Sequence, residues 1–500
     1  IIETLQTFNS KNLIPAILSA VCLLWACTTG IIPATGEKGY LGLTWEEERE
    51  LGKQAAQEIA AVFGIYQDAQ LDRYIEQVGR SVLSESHLRA PGTAERFLET
   101  PITFQILDSP NINAMAIPGG HVYVTRGLLA HLNSVDQLAF VLAHEIGHVS
   151  ARHAARRAWQ QQFGQGLLLG GAILGQVFGL PGGQILNLGG TAAQLIFLRH
   201  SREDELEADR LAVRYTTMAG YDPRESMDFF RTLSRIEEQE GAGLPNFLST
   251  HPDPGNRLER IAELAAEWSL TRQLQQTDPA AYFAAVEGIV VGEDPRNGFV
   301  RRQVFYHPEL RFRFPLPRDF RLINQPAQVI MIEKQRRAII GFTSTGESSL
   351  QSASAKFLSQ PGLRVLETFT AHSNGLPAIA AIADAQSQNG QIVRLLVYFV
   401  EQRGHVYQFI AYSAPQTFGL FRDEFLHVMR GFNGVNDPEI LTTQPVRLEL
   451  ERASRTAPFR SFIPAQLPGE IRPEDVAILN QVTLNEEIQK GRTIKLPASQ

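Results

Sequence analysis

The chain has 500 residues, 44% hydrophobic and 20% charged, enough apolar material for about two to four domains with sizeable cores. A net charge of -7, a pI near 6.0 and the lack of a basic stripe exclude nucleic acid as a partner. The two cysteines, Cys22 and Cys27, both lie near the start, so the rest of the chain can hold neither a disulfide framework nor a cysteine-based zinc site.

Leu13 to Ala26 is an apolar run following Lys11. At about fourteen residues it is short of the roughly twenty a membrane span needs and suits the h-region of a signal peptide. Its end, Leu24-Trp25-Ala26-Cys27, resembles a bacterial lipobox. Residues 1–27 then read as a lipoprotein-type signal segment, with Cys27 lipidated and tethering the chain to a membrane. An uncleaved signal anchor is the alternative. Thr28, in place of an aspartate, resembles lipoproteins sorted to the outer membrane. That would place the chain on the periplasmic side of a bacterial envelope. Residues 28–43 read as a linker.

Thr44-Trp45-Glu46-Glu47 is a capping box opening a helix to about Val62, and a second helix covers Leu71 to Ser84. Ile102 to Leu107 alternates like a strand. Two strand-like runs then flank the turn Pro118-Gly119-Gly120. Pro118 favours an edge position. An edge strand can hold an extended peptide by strand addition, so Asn113, Ala114, Met115 and Ala116 are candidate substrate-binding residues.

Ser134 with Gln137 starts the next helix as a capping box, and Leu138, Leu142, Ile146 and Val149 form one apolar face. On a neighbouring face lies His144-Glu145-Ile146-Gly147-His148. The two histidines are four apart, so both imidazoles project the same way, one turn above the other. That pair suits Zn²⁺, which takes nitrogen and oxygen ligands at roughly 2.0–2.2 Å. Glu145 beside them is placed to take a proton from a water on the ion. His153 lies five residues past His148, about 140° round a continuing helix. It cannot join the same ion and reads as a surface residue.

A zinc site needs a third protein ligand. Alanines at 151 and 154 exclude the longer motif with a third histidine on the same helix. The acidic stretch Leu198 to Leu211 offers carboxylates instead. Glu205 and Asp209 share one helical face, and Glu203 and Glu207 share another. Spacing alone does not choose between the two pairs. Glu205 as ligand, with Asp209 holding a ligand imidazole's free N–H, would form a carboxylate–histidine–zinc arrangement.

Three motifs now stand in order: Asn113-Ala-Met-Ala-Ile-Pro-Gly-Gly120, His144-Glu-Ile-Gly-His148 and Ser201-Arg-Glu-Asp-Glu-Leu-Glu-Ala-Asp209. Together they resemble the zinc metallopeptidase family of the CaaX prenyl protease and HtpX, and within it the periplasmic BepA-like branch. The resemblance covers roughly Thr44 to Ala266. The family's E-x-x-x-D motif maps onto Glu205 and Asp209, which makes Glu205 the third metal ligand and Asp209 a catalytic residue that orients a ligand histidine. It implies one Zn²⁺ per chain, held by His144, His148 and Glu205, with Glu145 as general base. Leu248-Ser-Thr-His251-Pro resembles the family segment whose histidine reaches the zinc as a fourth ligand and holds the enzyme latent. Arg257 either steadies a substrate carbonyl or pairs with Glu259. The glycine- and leucine-rich stretch 163–198 reads as a cover over the cleft, with a lipid-facing segment as the alternative.

From Phe299 the pattern turns β-rich. Strands are expected near 327–332, 338–343, 392–401 and 405–412, and helices over 349–358 and 418–430. Ile471 to Pro497 resembles the second half of a LysM-type glycan-binding repeat, which suggests contact with peptidoglycan. The expected fold class is α+β. A mainly helical zincin-type peptidase domain with a small edge-strand sheet covers 44–290. An antiparallel α+β accessory domain covers 297–436, and a linker with a LysM-like segment covers 437–500. The expected function is a zinc metalloendopeptidase hydrolysing unfolded or misassembled envelope proteins, Glu145 activating water. Two alternatives are a latent peptidase acting mainly as a chaperone-like outer-membrane assembly factor, and a cell-wall-binding scaffold.

Overall fold

The computed structural model describes residues 28–164, 200–240, 247–252, 255–268, 270–386, 392–469 and 471–499. Cys27 with the lipobox, and nearly all of the glycine-rich stretch, lie outside the described residues. Among the described residues, no helix is long and apolar enough to cross a membrane.

Residues 28–43, expected as a linker, are built into the fold. Strand β1 (Thr28–Ile31) pairs antiparallel with β2 (Lys38–Leu41). Arg152 donates from Nη1 to the Ile31 carbonyl and from Nη2 to that of Leu43. Ala34 N–H donates to the Ser150 carbonyl. The hairpin therefore covers the end of the metal-motif helix. Helix α1 (Trp45–Phe63) starts at Thr44, with both halves of its capping box formed. Helix α2 (Ala69–Ser84) is capped by Asp68 and buries Leu71, Ile75, Val78 and Val82.

A three-stranded sheet follows. Strand β3 (Thr103–Leu107) runs parallel to β5 (His121–Thr125), and β4 (Ala114–Ile117) pairs antiparallel with the other side of β5. So β4 is an edge strand. Its turn needs glycine: Gly119 and Gly120 have φ of 81° and 93°, and a Cβ on Gly119 would sit 2.8 Å from Arg49 Cα.

Helix α3 (Val135–Ser150) carries the metal motif and is buried on every side. Leu138, Leu142, Ile146 and Val149 pack into the core as their spacing predicts. The other faces are buried too, and on one of them Gly147 lets a neighbouring helix come close. A Cβ on Gly147 would lie 3.3 Å from the Ala208 carbonyl oxygen and the Leu211 Cβ of α5 (Arg202–Met218). Ser134 caps α3 as expected, but Gln137 accepts from the Asn133 N–H, not from that of Ser134.

Residues 299–434 form a four-stranded and a seven-stranded antiparallel sheet. The central strands of the larger sheet are buried on both faces, by Phe418–Arg430 and the four-stranded sheet on one side and by Leu350–Leu358 on the other. Its outer hairpin, Leu363–Ser373 with Leu376–Gln386, adds two strands not foreseen from the sequence. The last segment also departs from expectation. Val446–Arg452 pairs with Thr493–Ser499, and Leu448, Ile478 and Leu479 enter the same core as α2 and α3. Lys495 is wholly buried and donates its Nζ protons to the carbonyls of Ala130 and Leu132, just before α3.

Burial holds the Lys495 ammonium well below its ordinary value of 10.5. The unfolded chain therefore binds more protons than the folded one between the depressed value and 10.5, and stability rises with pH across that window. Lys495→Met is expected to flatten this rise in denaturant titrations taken from neutral pH upward. The same slope in both proteins would show that another group titrates.

Candidate metal centre

Helix α3 aims His144 and His148 to one point, with their Nε2 atoms 3.0 Å apart. Glu205 comes from the first turn of α5, whose start is set by a capping box between Ser201 and Asp204. Glu205 Oε2 lies 3.4 Å from His144 Nε2, and its Oε1 lies 3.5 Å from His148 Nε2. Donors around a tetrahedral ion at about 2.0–2.2 Å sit roughly 3.3–3.6 Å apart; both carboxylate distances fall in that range and the nitrogens stand slightly closer, so this donor set fits zinc. All three side chains are buried.

His251 joins them. Its Nδ1 is 3.2 Å from His144 Nε2 and 3.1 Å from Glu205 Oε1, and its ring stacks on Phe247. One candidate atom from each of His144, His148, Glu205 and His251 lies within 4.8 Å of all the others. Glu145 is wholly buried next to this cluster, 3.5 Å from His251 Nε2. Among the described residues, neither of its oxygens has a hydrogen-bond partner of normal geometry. The Ala116 backbone in edge strand β4 faces it.

Asp209 Oδ1 stands 3.0 Å from His144 Nδ1. Arg257, from α6 (Arg257–Trp268), donates from Nε to Asp209 at 2.7 Å and from Nη2 to Glu205 at 2.6 Å. So Arg257 pairs with the two carboxylates of the site, not with Glu259. Its guanidinium lies over the Phe230 ring. On the edge strand, the Ala116 backbone faces Glu145, while the Met115 side chain lies in the core with Ile59 and Tyr123. Asn113 Oδ1 accepts from Thr250, next to His251.

The electrostatics follow from burial against charge. Burial opposes ionisation of Glu205, but the imidazoles of His251 and His144 hold its carboxyl well below the usual range. Burial leaves His148 neutral, its value well below the ordinary imidazole. His144 is raised to about 10: burial works against the charge, and Glu205 and Asp209 outweigh it. Burial pushes Glu145 up, against the pull of His251 and His144. The cluster thus has one anionic donor, one neutral imidazole, and one imidazole whose proton a cation would displace.

Two histidines escaped the sequence reading. His153, expected on the surface, is 0% exposed and sits 2.7 Å from His148 through their Nδ1 atoms. The expectation assumed that α3 continues. In fact it ends at Ser150, Arg152 turns with φ 53°, and α4 (His153–Gly164) starts in a new direction. His200 stacks on His148 with ring centroids 3.8 Å apart. Nothing in its spacing signals this contact, which depends on where the chain enters α5.

Comparison with known proteins matches residues 69–265 to Peptidase family M48. Over this stretch the chain is similar to that family. The chain is similar to the beta-barrel assembly-enhancing protease of Escherichia coli, 27% identical over 50% of this chain and 51% of that protein. It is also similar to the putative beta-barrel assembly-enhancing protease of Vibrio cholerae, 28% identical over 53% of this chain and 54% of that protein. The mitochondrial metalloendopeptidase OMA1 of Bos taurus is 33% identical over 38% of this chain and 36% of its own. The chain spans about half the length, or less, of these relatives. The M48 region contains all four clustered residues, His144, His148, Glu205 and His251.

Arg257 is the cation that the buried carboxylates of the M48 site share. Removing one partner from a buried pair costs roughly 3–5 kcal/mol. Arg257→Met, measured in chelator by denaturant unfolding, is expected to lose stability of that order. A loss under about 1 kcal/mol, the scale of an exposed pair, would show that the pairing does not hold the two helices together.

Proposed function

We propose that this chain is a zinc-dependent metalloendopeptidase acting on unfolded or misassembled proteins of a bacterial envelope. The observation that carries the reading is the convergence of donor atoms of His144, His148 and Glu205 within 3.5 Å of one another, with the buried carboxylate of Glu145 beside them. These three residues would hold one Zn²⁺. When bound, zinc supplies a Lewis acid that polarises a peptide carbonyl and acidifies water. Glu145 takes the proton from the attacking water and returns it to the leaving amine, a task its upward shift suits. Asp209 steadies His144 through Nδ1, and Arg257 steadies both carboxylates. The open edge of β4 offers backbone to an extended substrate, which would lie across Ala114–Ala116 in front of Glu145.

The envelope assignment draws on the similarity to beta-barrel assembly-enhancing proteases and on the lipobox at Cys27. A lipid anchor at Cys27 would keep the M48 region at a membrane surface, on the periplasmic side of the outer membrane. Peptidoglycan contact would fall to the outer faces of 437–500.

The deciding test is digestion of casein by the wild-type chain and by Glu145→Gln, with zinc counted in both. Cleavage by wild type alone, with one zinc in each protein, is the expected result. No zinc in either would remove the metal reading.

A latent form is favoured by one observation, the His251 ring within 3.2 Å of both His144 Nε2 and Glu205. A fourth protein donor there would occupy the place of the attacking water. His251→Ala is then expected to raise casein cleavage several-fold at unchanged zinc content. Unchanged cleavage would show that His251 is no latch.

A further inference from the structure

Behind the proposed zinc ligand His148, the structure holds a chain of polar groups that the peptidase reading does not use. His153 opens α4, fully buried, with its Nδ1 2.7 Å from His148 Nδ1. Its other nitrogen, Nε2, lies 3.3 Å from Glu207 Oε2 and 3.5 Å from Asp204 Oδ1. Both acids are anchored in turn: Glu207 by Arg156 at 2.7 Å, and Asp204 by Arg157 at 2.8 Å. Glu207 is one of the two acids that spacing offered as an alternative ligand pair. It faces away from the cluster that Glu205 joins.

We infer that His153, backed by Glu207, is a positioning residue that orients the ligand imidazole of His148. The inference rests on the zinc reading above. A ring that gives Nε2 to a metal carries its own proton on Nδ1. The His148 Nδ1–H has His153 Nδ1 in front of it, which must then accept. That places the His153 proton on Nε2, where it donates to Glu207. Each bond in the relay has one direction, and the anionic end lies farthest from the metal. His144 has the shorter version of the same device, with Asp209 3.0 Å from its Nδ1. The two ligand rings are thus backed in different ways, one by a carboxylate and one by an imidazole that carries a carboxylate behind it. The turn at Arg152, held by Glu48 and by carbonyls of the N-terminal hairpin, brings His153 back under His148.

A competing use of the same atoms is a second metal ion among His148, His153 and His200, whose nitrogens also come within 4.8 Å of one another. It would need His148 Nδ1 bare while Nε2 serves the first ion, an imidazolate. The relay needs only neutral rings.

The test is zinc affinity by chelator competition, with zinc stoichiometry, for wild type, His153→Phe and His153→Asn. Circular dichroism of the zinc-free proteins checks the fold. Phenylalanine fills the ring's space without an acceptor. Asparagine offers an acceptor near the Nδ1 position. His153→Phe is expected to bind zinc about ten- to a hundredfold more weakly, the range for lost outer-shell partners, and His153→Asn to stay within a few-fold of wild type. Wild-type affinity in His153→Phe, or an equal loss in both variants, overturns the inference. So do two zincs in wild type that fall to one in His153→Phe. If the His153 variants do not fold, Glu207→Ala removes only the far end of the relay. A few-fold weaker affinity is then expected, and an unchanged one overturns it. Absence of zinc from wild type would instead count against the peptidase reading itself.

Discussion

Arg257 sends one nitrogen to Glu205 and another to Asp209, and the rest of the site depends on this fork. Two carboxylates four residues apart on one helical face repel each other, more so in a buried setting. Arg257 sets a cation of fixed geometry behind both of them. A guanidinium meets that need better than an ammonium, because its planar fork bonds both acids at once and its face rests on Phe230. With Arg257 in place, Glu205 turns its oxygens to His144 and His148, and Asp209 turns one oxygen to the back of His144.

The second constraint is distance between helices. Side chains as short as aspartate and glutamate reach the histidines only if α5 lies close against α3. Gly147 makes this approach possible, since even a methyl group there would crowd the Ala208 carbonyl and Leu211. The two unspecified positions of the His-Glu-x-x-His motif therefore have different work. Ile146 fills the core on one side of α3, and Gly147 admits α5 on another. The motif is a packing instruction as well as a pair of candidate metal donors.

How much of this could be read in advance differs from residue to residue. His144, Glu145 and His148 are set by local periodicity, which a helix imposes whatever surrounds it. Glu205 needed a family likeness, because two acid pairs on one helix are equivalent until the neighbour is known. Arg257 had its partners misassigned because they lie about fifty residues back in the chain, whereas Glu259 is close by. His153 failed for a sharper reason: the angular argument was sound for a straight helix, but Arg152 breaks it. In the accessory sheet, the strand Leu376–Gln386 was passed over because alanine has little β preference, although Asn374-Gly375 is a strong hairpin turn and both residues do take positive φ. The N-terminal hairpin carries almost no periodicity of its own. It is held by a side chain more than a hundred residues away.

That hairpin and the last segment have a common consequence. Arg152, joined to Glu48 and to the carbonyls of Ile31 and Leu43, pins the end of α3. At its start, Gln481 bonds Gln137 and the His131 carbonyl, while Lys495 holds Ala130 and Leu132. The metal-motif helix is thus clamped at both ends by segments distant in sequence and buried along its whole length between them. Such a helix presents its two imidazoles in fixed positions, which favours a preformed site. It also leaves little freedom for α3 itself to switch activity on or off. Any change of state at this centre would have to come from the partners of α3, and one short element among them is the single turn Phe247–Thr250 that carries His251 at its end. A latch on that turn needs to move only a few residues, whereas moving α3 would break contacts at both of its ends.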